Sequence, residues 1–284
     1  MGSTVIDLHT HHRRCGHATG ELGDYVAAAA GLGLATLGLS DHAPLLLDGC
    51  DEPAPGMHMP LSAFDGYLAE ARAWQSRAPH GLEVLVGVEA DYIPGREEAY
   101  RRLLDDPRID FTIGAVHYID GFHVYDPARW KATDDVDAVM ERYLALVRDA
   151  ARTRMFDVIA HLDAVKGRAP RHPYVPDATW DATIDALLAA DVAVEINTSG
   201  YRKCGEPFPA WNVIERLHAA GVPLTYGSDA HRPDEVAHAW TAVRRGLTDR
   251  GVRELAIVRR RRRSLVPIDD RWAEGALPGT GSAP

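Results

Sequence analysis

Short apolar runs alternate along the chain with longer amphipathic stretches, and this alternation restricts the possible folds more than any other feature of the sequence. Seven of these runs have the length of buried strands, namely residues 5–8, 36–39, 84–88, 111–116, 158–160, 192–196 and 224–226. A weaker eighth candidate lies at 255–258. Helical periodicity is present at 22–29, 133–147, 178–188 and 213–217, and Thr133 is the predicted N-cap of the second of these helices.

Repeated strand–helix units predict a mostly parallel sheet with helices packed outside it. Because seven or eight units favour a closed barrel over an open sheet, we predict an α/β barrel. No stretch has the composition of a linker, so residues 1–270 are expected to form a single domain. The stretch at 44–60, rich in Pro and Gly, is interpreted as a long loop over the candidate functional site described below. Residues 271–284 are interpreted as a flexible tail.

The composition is ordinary for a globular protein and argues against several classes of function. The formal net charge of −10 is opposite to that of most proteins that bind a nucleic-acid backbone. The basic run at 259–263 is interpreted as an exposed strand, with a nucleic-acid patch as the alternative. No apolar run approaches the roughly 20 residues that span a bilayer, no signal peptide is visible, and the three cysteines show no paired spacing. We therefore expect a soluble cytoplasmic protein without a membrane or nucleic-acid partner.

The 14 histidines are about twice as many as average usage would give, and several of them directly follow predicted strands. Six of the seven strands lead into a His, Glu or Asp, and barrels place their chemistry at these carboxyl ends. His9 and His11 are two residues apart, so on an extended segment they face the same way and can share a metal ion. The candidate ligands are His9, His11, His17, His42, Glu89, His117, His161, Asp229 and His231.

A single His after a strand is usually a hydrogen-bonded loop residue, so none of these positions is decisive alone. Their coincidence at one end of a barrel is what predicts a metal site. Seven further histidines lack this register and are expected mostly on the surface: His12, His58, His80, His123, His172, His218 and His238.

This set of positions resembles the polymerase and histidinol phosphatase (PHP) family of metal-dependent phosphoesterases. The family pattern has a His-x-His pair, a His six residues later, single His or Glu residues after further strands, and a final Asp-x-His, and all nine positions are filled here. The peptides at 14–18, 57–60, 116–121, 161–163 and 195–200 resemble the histidinol-phosphatase subgroup. The resemblance implies a distorted (β/α)7 barrel of TIM-like type.

The resemblance also implies two to three divalent transition metal ions. By analogy, His9, His11, Glu89 and Asp229 hold one ion. Glu89, His117 and His161 hold a second ion, which makes Glu89 a bridge, and His17, His42 and His231 hold a third. Imidazole ligands with two carboxylates suit Zn²⁺, Fe²⁺ or Mn²⁺ better than Mg²⁺. Glu89, Asp229 and His231 are the residues assigned to catalysis.

The implied reaction is hydrolysis of a small phosphate monoester, and the subgroup points to L-histidinol phosphate. Arg202 and Lys203 follow the sixth strand and are candidate substrate contacts, because cations bind phosphate oxygens. Lys166 and Arg14 are further candidates, with Arg168 as an alternative to Lys166. Three acidic residues just past strand ends could bind a substrate ammonium or orient ligand imidazoles, and both roles stay open: Asp91, Asp120 and Asp163. The oligomeric state is not indicated.

Three alternatives compete with this hypothesis. An amidohydrolase-type enzyme also begins with His-x-His, but it draws a ligand from strand six, where this chain has none that we identify. A PHP-family phosphoesterase acting on nucleotides or DNA ends is a second alternative, which the acidic charge weakens. A non-enzymatic metal-binding protein is the third, and it fits poorly because nine ligands shared by three ions leave coordination positions open.

Overall fold

The predicted strands form a parallel sheet in the computed structural model, which describes residues 5–47, 49–131 and 135–268. In chain order, the strands are β1 (Ile6–Asp7), β2 (Thr36–Leu39), β3 (Glu83–Asp91), β4 (Phe111–Ala115), β5 (Tyr118–Ile119), β6 (Phe122–His123), β7 (Val158–Ile159), β8 (Ala193–Asn197), β9 (Leu224–Gly227), β10 (Glu254–Arg259) and β11 (Arg262–Pro267). The main sheet has the order β1-β2-β3-β4-β7-β8-β9 and all of its neighbours are parallel.

The two ends of this sheet meet and bring it close to a complete barrel. The Leu8 amide donates a hydrogen bond to the Tyr226 carbonyl at 3.1 Å, and Thr10 forms a parallel bridge with Ala230. The predicted (β/α)7 barrel is therefore confirmed, with each of the seven predicted strands in place. The eighth candidate is also a strand, β10, but it pairs with β11 in an antiparallel hairpin outside the barrel.

Helices surround the sheet. They are α1 (Leu22–Gly31), α2 (Leu61–Ser76), α3 (Glu97–Leu104), α4 (Pro127–Lys131), α5 (Val136–Thr153), α6 (Asp177–Ala190), α7 (Ser199–Cys204), α8 (Trp211–Ala220) and α9 (Trp240–Asp249). The four predicted helices correspond to α1, α5, α6 and α8. Thr133 and the predicted tail at 271–284 lie outside the described residues, and the N-cap of α5 is Asp135, whose carboxylate accepts a hydrogen bond from the Ala138 amide at 2.9 Å. Among the residues that the structure describes, no helix is both long and apolar enough to cross a membrane.

Two glycines in β2 and β3 allow close packing against neighbouring residues. Phe111 is fully buried, and a Cβ at Gly87 would lie 2.3 Å from its ring. A Cβ at Gly38 would lie 2.6 Å from the Leu8 carbonyl oxygen. Only a residue without a side chain fits in either place, so Gly87 lets β3 lie against the Phe111 ring and Gly38 lets β2 lie against Leu8, directly after β1.

The basic run at 259–263 forms the end of β10, the hairpin turn and the start of β11. Three of its arginines are paired with carboxylates: Arg259 with Glu83 at 2.7 Å, Arg261 with Asp157 at 3.2 Å, and Arg263 with Asp191. These contacts support the strand interpretation over the nucleic-acid alternative, because the charges of three of the five arginines are matched within the chain.

Candidate metal centre

All nine predicted ligands converge at the carboxyl ends of the barrel strands. The ring centre of His11 lies 4.9 Å from that of His9 and 4.3 Å from those of His42 and His231. Six of the nine line a cavity of about 340 Å³: His17, His42, Glu89, His117, Asp229 and His231. The other three ligands, His9, His11 and His161, are buried.

Glu89 lies at the centre of this cluster, within β3 and two residues before its end. Its carboxylate has five imidazole nitrogens within 3.8 Å, those of His9, His11, His42, His117 and His161. Oε2 faces His9, His11 and His42, whereas Oε1 faces His117 and His161. A carboxylate whose two oxygens face different sets of imidazoles is placed to bridge two metal ions, as the sequence predicts.

Several of these buried atoms form no hydrogen bond within the described part of the chain. They are Nε2 of His9, Nε2 of His11, Nδ1 of His42 and Oε2 of Glu89. The three nitrogens lie 2.9–3.6 Å from Oε2 of Glu89 without the geometry of a hydrogen bond. A buried polar atom that lacks a hydrogen bond costs about 1–3 kcal/mol, so this cluster would be unfavourable unless another group satisfies its atoms. Coordination of divalent metal ions would do so. The donor set of imidazole and carboxylate fits zinc, iron or manganese.

Among the described residues, three compact groups of donors consist wholly of predicted ligands, and the donor atoms of each are within 4.8 Å of one another. They are His9 with His11 and Glu89, His42 with Glu89 and His117, and His11 with His42 and His231. Each resembles one of the three predicted ligand sets, but His11 and His42 each contribute to two groups. The exact partition among three ions therefore stays a prediction.

His17 is the most exposed of the nine predicted ligands. Its Nδ1 lies 3.1 Å from the Gly56 carbonyl oxygen, and its ring centre is 4.8 Å from that of His231. The segment predicted as a loop over the site contains Gly56 and, in its described part, no helix or strand. The loop therefore orients an outer ligand.

Glu195 was not predicted, although it holds two of the ligands. It is buried in β8, and its Oε1 lies 2.6 Å from Nδ1 of His9. Its Oε2 accepts a hydrogen bond from the His161 amide at 3.2 Å. A carboxylate within an otherwise apolar buried strand must have a partner, and that rule could have identified Glu195 from the sequence.

Asp41 orients a second ligand. Its Oδ1 lies 3.3 Å from Nδ1 of His11 and accepts a hydrogen bond from the His42 amide at 2.9 Å, while its Oδ2 contacts Nδ1 of His12. His12 is buried, so its predicted place on the surface is wrong. Burial is possible because Asp41 matches its polar nitrogen.

Asp91 performs the same task for a third ligand. Its Oδ1 lies 3.1 Å from Nδ1 of His117, and its Oδ2 lies 2.6 Å from Nε2 of His58. Of the two roles left open for Asp91, these contacts fit the orientation of an imidazole. His58 is buried by this pairing, so its predicted surface location is also wrong. His80, His172 and His218 are exposed as expected, and His123 and His238 are partly buried.

Asp229 is contacted by residues at the end of β8 and in the following helix α7. Ser199 Oγ donates to its Oδ2 at 2.9 Å, Asn197 Nδ2 donates at 3.3 Å, and the Lys203 ammonium lies 3.7 Å away. Asp229 has a φ of 53° and His161 has a φ of 27°, in a region that non-glycine residues rarely adopt. Such backbone strain is typical of functional sites, where surrounding contacts fix an unfavourable geometry.

The charges in the cluster favour metal-binding forms of Glu89, Asp229 and His231, whereas hydrogen bonds with Asp229 and Asp41 outweigh burial and raise the pKa of His11 to about 9. Burial would raise the pKa of Glu89, but the nearby imidazoles of His42 and His9 hold it well below its usual range. Asp229 likewise has a pKa well below its usual range, because Lys203 and His11 outweigh its burial. Burial, with the charge of His11, lowers the pKa of His231 to about 3. Ionised carboxylates and a neutral imidazole are the forms that coordinate metal ions.

Two of the predicted substrate contacts line the cavity. Arg202 Nη2 lies 3.4 Å from Oε2 of Glu235 and 3.5 Å from the Asp229 carbonyl oxygen. The Lys203 ammonium donates to Ser199 Oγ at 2.8 Å and lies 4.9 Å from the centre of the Tyr125 ring. Arg168 also lines the cavity. These three side chains give its mouth a positive region beside the ligands.

The other two predicted substrate contacts lie elsewhere. The Lys166 ammonium is buried 2.9 Å from oxygens of Asp163, Glu206 and Pro207, beside a separate cavity of about 380 Å³. A buried ammonium is stable only with such partners, and they hold it away from the metal cluster.

Arg14 bonds His12 Nε2 at 2.9 Å and Glu70 at 2.6 Å, so it too is engaged outside the cavity. Of the remaining carboxylates, Asp120 is exposed and paired with Arg142 at 3.2 Å, whereas Asp163 is paired with Lys166.

Comparison with known proteins places the cluster in a family. The sequence profile of the PHP domain matches residues 7–199, which is more than half of the chain. The chain belongs to the PHP family. The match begins just before His9 and ends just after β8, so it includes seven of the nine predicted ligands.

Two relatives match this chain over most of its length. The chain is 33% identical over 261 residues to a protein from Deinococcus radiodurans named probable histidinol-phosphatase, covering 90% of this chain and 98% of that one. It is 25% identical over 260 residues to histidinol-phosphatase from Bacillus subtilis, covering 83% and 97%.

Among solved structures, the PHP barrel is similar to histidinol phosphate phosphatase from Lactococcus lactis, determined in complex with zinc, L-histidinol and phosphate. The TM-score is 0.77 at 20% identity, covering 92% of this chain and 99% of that one. This similarity establishes the fold.

Proposed function

We propose that this PHP-family protein is a metal-dependent phosphatase that hydrolyses L-histidinol phosphate to L-histidinol and phosphate, a step of histidine biosynthesis. The observation that carries the proposal is the convergence of nine candidate metal ligands in one cluster, six of which line a cavity together with three cationic side chains. The names of the Deinococcus radiodurans and Bacillus subtilis relatives support the choice of substrate.

The ligands would hold two to three divalent ions, with Glu89 shared between two of them. Divalent ions in such a site supply Lewis acidity and lower the pKa of a bound water toward neutrality. Glu195, Asp41 and Asp91 fix the ring orientation of His9, His11 and His117, and contacts of this kind typically change metal affinity by about 10–100-fold. Glu89, Asp229 and His231 would act in catalysis through the metal ions that they would hold, and these roles are part of the proposal.

Arg202 and Lys203 would bind the phosphate. Both side chains are positively charged, line the cavity and lie next to Asp229. Burial lowers the pKa of Lys203, although Asp229 partly offsets this effect. A partly desolvated cation interacts with phosphate more strongly than a surface cation does. Arg202 offers two N–H groups in the planar arrangement that matches two phosphate oxygens.

Because the chain belongs to the PHP family, the amidohydrolase hypothesis is not retained. A PHP phosphoesterase acting on nucleotides or DNA ends stays an alternative, with less support, because the net charge of −10 disfavours a polyanionic partner. Cytoplasmic location and the absence of a nucleic-acid partner stay predictions.

The test compares kcat/KM for L-histidinol phosphate with that for a simple aryl phosphate, in wild type and in Arg202→Ala. Wild type should favour the histidinol ester by about two orders of magnitude, which corresponds to about 3 kcal/mol of differential transition-state binding. Arg202→Ala should slow both esters, since both carry the phosphate. Arg142→Ala, which removes an arginine outside the cavity, is the matched control. Equal turnover of the two esters by wild type would contradict the assignment of the substrate.

A further inference from the structure

One carboxylate of the cavity is not among the predicted metal ligands. Within the described residues, the acidic side chains that line the cavity are Glu89, Asp229 and Glu235. Glu89 and Asp229 are surrounded by imidazoles and belong to the metal centre. Glu235 ends a short 3-10 turn, Pro233–Glu235, that follows β9. Its negative charge therefore faces the cavity without an assigned role.

Glu235 is fixed beside Arg202. Its Oε2 accepts a hydrogen bond from the His231 amide at 2.9 Å and lies 3.4 Å from Arg202 Nη2. Its Oε1 lies 4.0 Å from Arg232 Nε. The Glu235 and Arg202 side chains are 15% and 31% exposed, so the pair is only partly desolvated and remains open to a ligand. A cation and an anion thus lie side by side in the lining of the cavity.

The proposed substrate carries a matching pair of charges. In L-histidinol phosphate the ammonium and the phosphate ester are on adjacent carbon atoms, with four bonds between nitrogen and phosphorus. A site that recognises both groups needs an anion and a cation close together. The other acidic candidates do not offer this arrangement, because Asp91 is buried against His117 and His58, while Asp120 and Asp163 lie outside the cavity.

We infer that Glu235 binds the ammonium group of the substrate while Arg202 binds its phosphate. The inference rests on the proposed phosphatase function and extends it, because it assigns specificity for phosphate monoesters with an amine on the neighbouring carbon. On binding, the substrate ammonium replaces Arg202 as the partner of Glu235. The substrate phosphate replaces Glu235 as the partner of Arg202. The exchange keeps both charges matched in the partly desolvated mouth.

The test uses two esters that differ only in the amine, 2-aminoethyl phosphate and ethyl phosphate. The measured quantity is the ratio of their kcat/KM values in the metal-loaded protein. Wild type should favour the amine-bearing ester by about tenfold or more, the scale of one charge-assisted hydrogen bond. Glu235→Gln should bring the ratio near one, since the amide keeps an oxygen for the His231 amide and loses the charge. Asp234→Asn, which neutralises the exposed neighbour paired with Arg232, should keep the wild-type ratio.

Two results would overturn the inference. One is a wild-type ratio near one. The other is a Glu235→Gln protein that slows both esters equally, because Glu235 would then only position Arg202 and His231. Failure of the proposed substrate gives a different result. In that case L-histidinol phosphate would be hydrolysed no faster than 2-aminoethyl phosphate, while the ratio of the two small esters would still respond to Glu235→Gln.

Discussion

At the scale of a single residue, Glu89 connects the two groups of imidazoles in the candidate metal centre. Its two oxygens face different imidazoles, with His42 at 2.9 Å from one and His161 at 3.1 Å from the other. His17, by contrast, lies at the exposed rim and contacts the loop carbonyl of Gly56. Loss of a bridging carboxylate should therefore disturb two ions, whereas loss of a rim ligand should disturb one.

The corresponding prediction is that Glu89→Gln loses more metal and more activity than His17→Ala. Glutamine has nearly the same shape but no charge, so the variant tests coordination rather than packing. Elemental analysis should find at least one ion fewer per chain in Glu89→Gln than in His17→Ala, and kcat/KM should fall further. Wild-type metal content and rates in Glu89→Gln would contradict the bridging role.

Residues of the site differ in how well the sequence predicts them. Eight of the nine candidate ligands could be found because each stands near the carboxyl end of an apolar run, and barrel geometry brings those ends together. His17 lies in the loop after the first strand, and only the family pattern identified it. Glu195 lies inside the predicted strand 192–196, so a search for polar residues after strand ends does not find it. His12 and His58 look like loop residues, and only the tertiary contacts with Asp41 and Asp91 account for their burial.

At the scale of elements, the β10–β11 hairpin ties the amino-terminal edge of the barrel together through arginines. Arg261 bonds Thr112 Oγ1 at 2.9 Å and the Met155 carbonyl oxygen at 2.9 Å, besides its contact with Asp157. These groups belong to β4 and to the segment before β7, on the barrel side away from the metal centre.

Arg261→Ala should therefore destabilise the fold without changing the chemistry. Loss of these hydrogen bonds should lower the free energy of unfolding by about 1–3 kcal/mol, while kcat/KM for phosphate release stays at the wild-type value. Urea unfolding followed by circular dichroism measures the first quantity. Arg262→Ala, at an exposed position on β11, is the control and should change stability by less than about 0.5 kcal/mol. Equal stability of the two variants would show that the hairpin contacts are dispensable.

The hairpin also shows what an apolar pattern leaves undecided. The run at 255–258 is as buried as the barrel strands, and periodicity predicts a strand there without identifying its partner. The order of pairing depends on β11, whose side chains are mostly exposed. The helix α2 could have been predicted, because Phe64, Tyr67, Leu68 and Ala71 follow helical spacing.

At the scale of the whole molecule, closure of the barrel assembles the site from both ends of the chain. Contact between β1 and β9 brings His9 and His11 next to Asp229 and His231, so that the imidazole of His11 lies 3.1 Å from Asp229 Oδ1. A metal ion held by these residues would also hold the barrel closed. Metal content, folding and activity should therefore depend on one another.

Metal content measured together with phosphate release tests the central claim most directly. Purified protein should contain two to three divalent transition metal ions per chain by elemental analysis. Exhaustive chelation should lower the rate of phosphate release from L-histidinol phosphate by about a hundredfold or more, and addition of Zn²⁺ or Mn²⁺ should restore it. Undiminished release of phosphate by protein that elemental analysis finds free of metal would contradict the account.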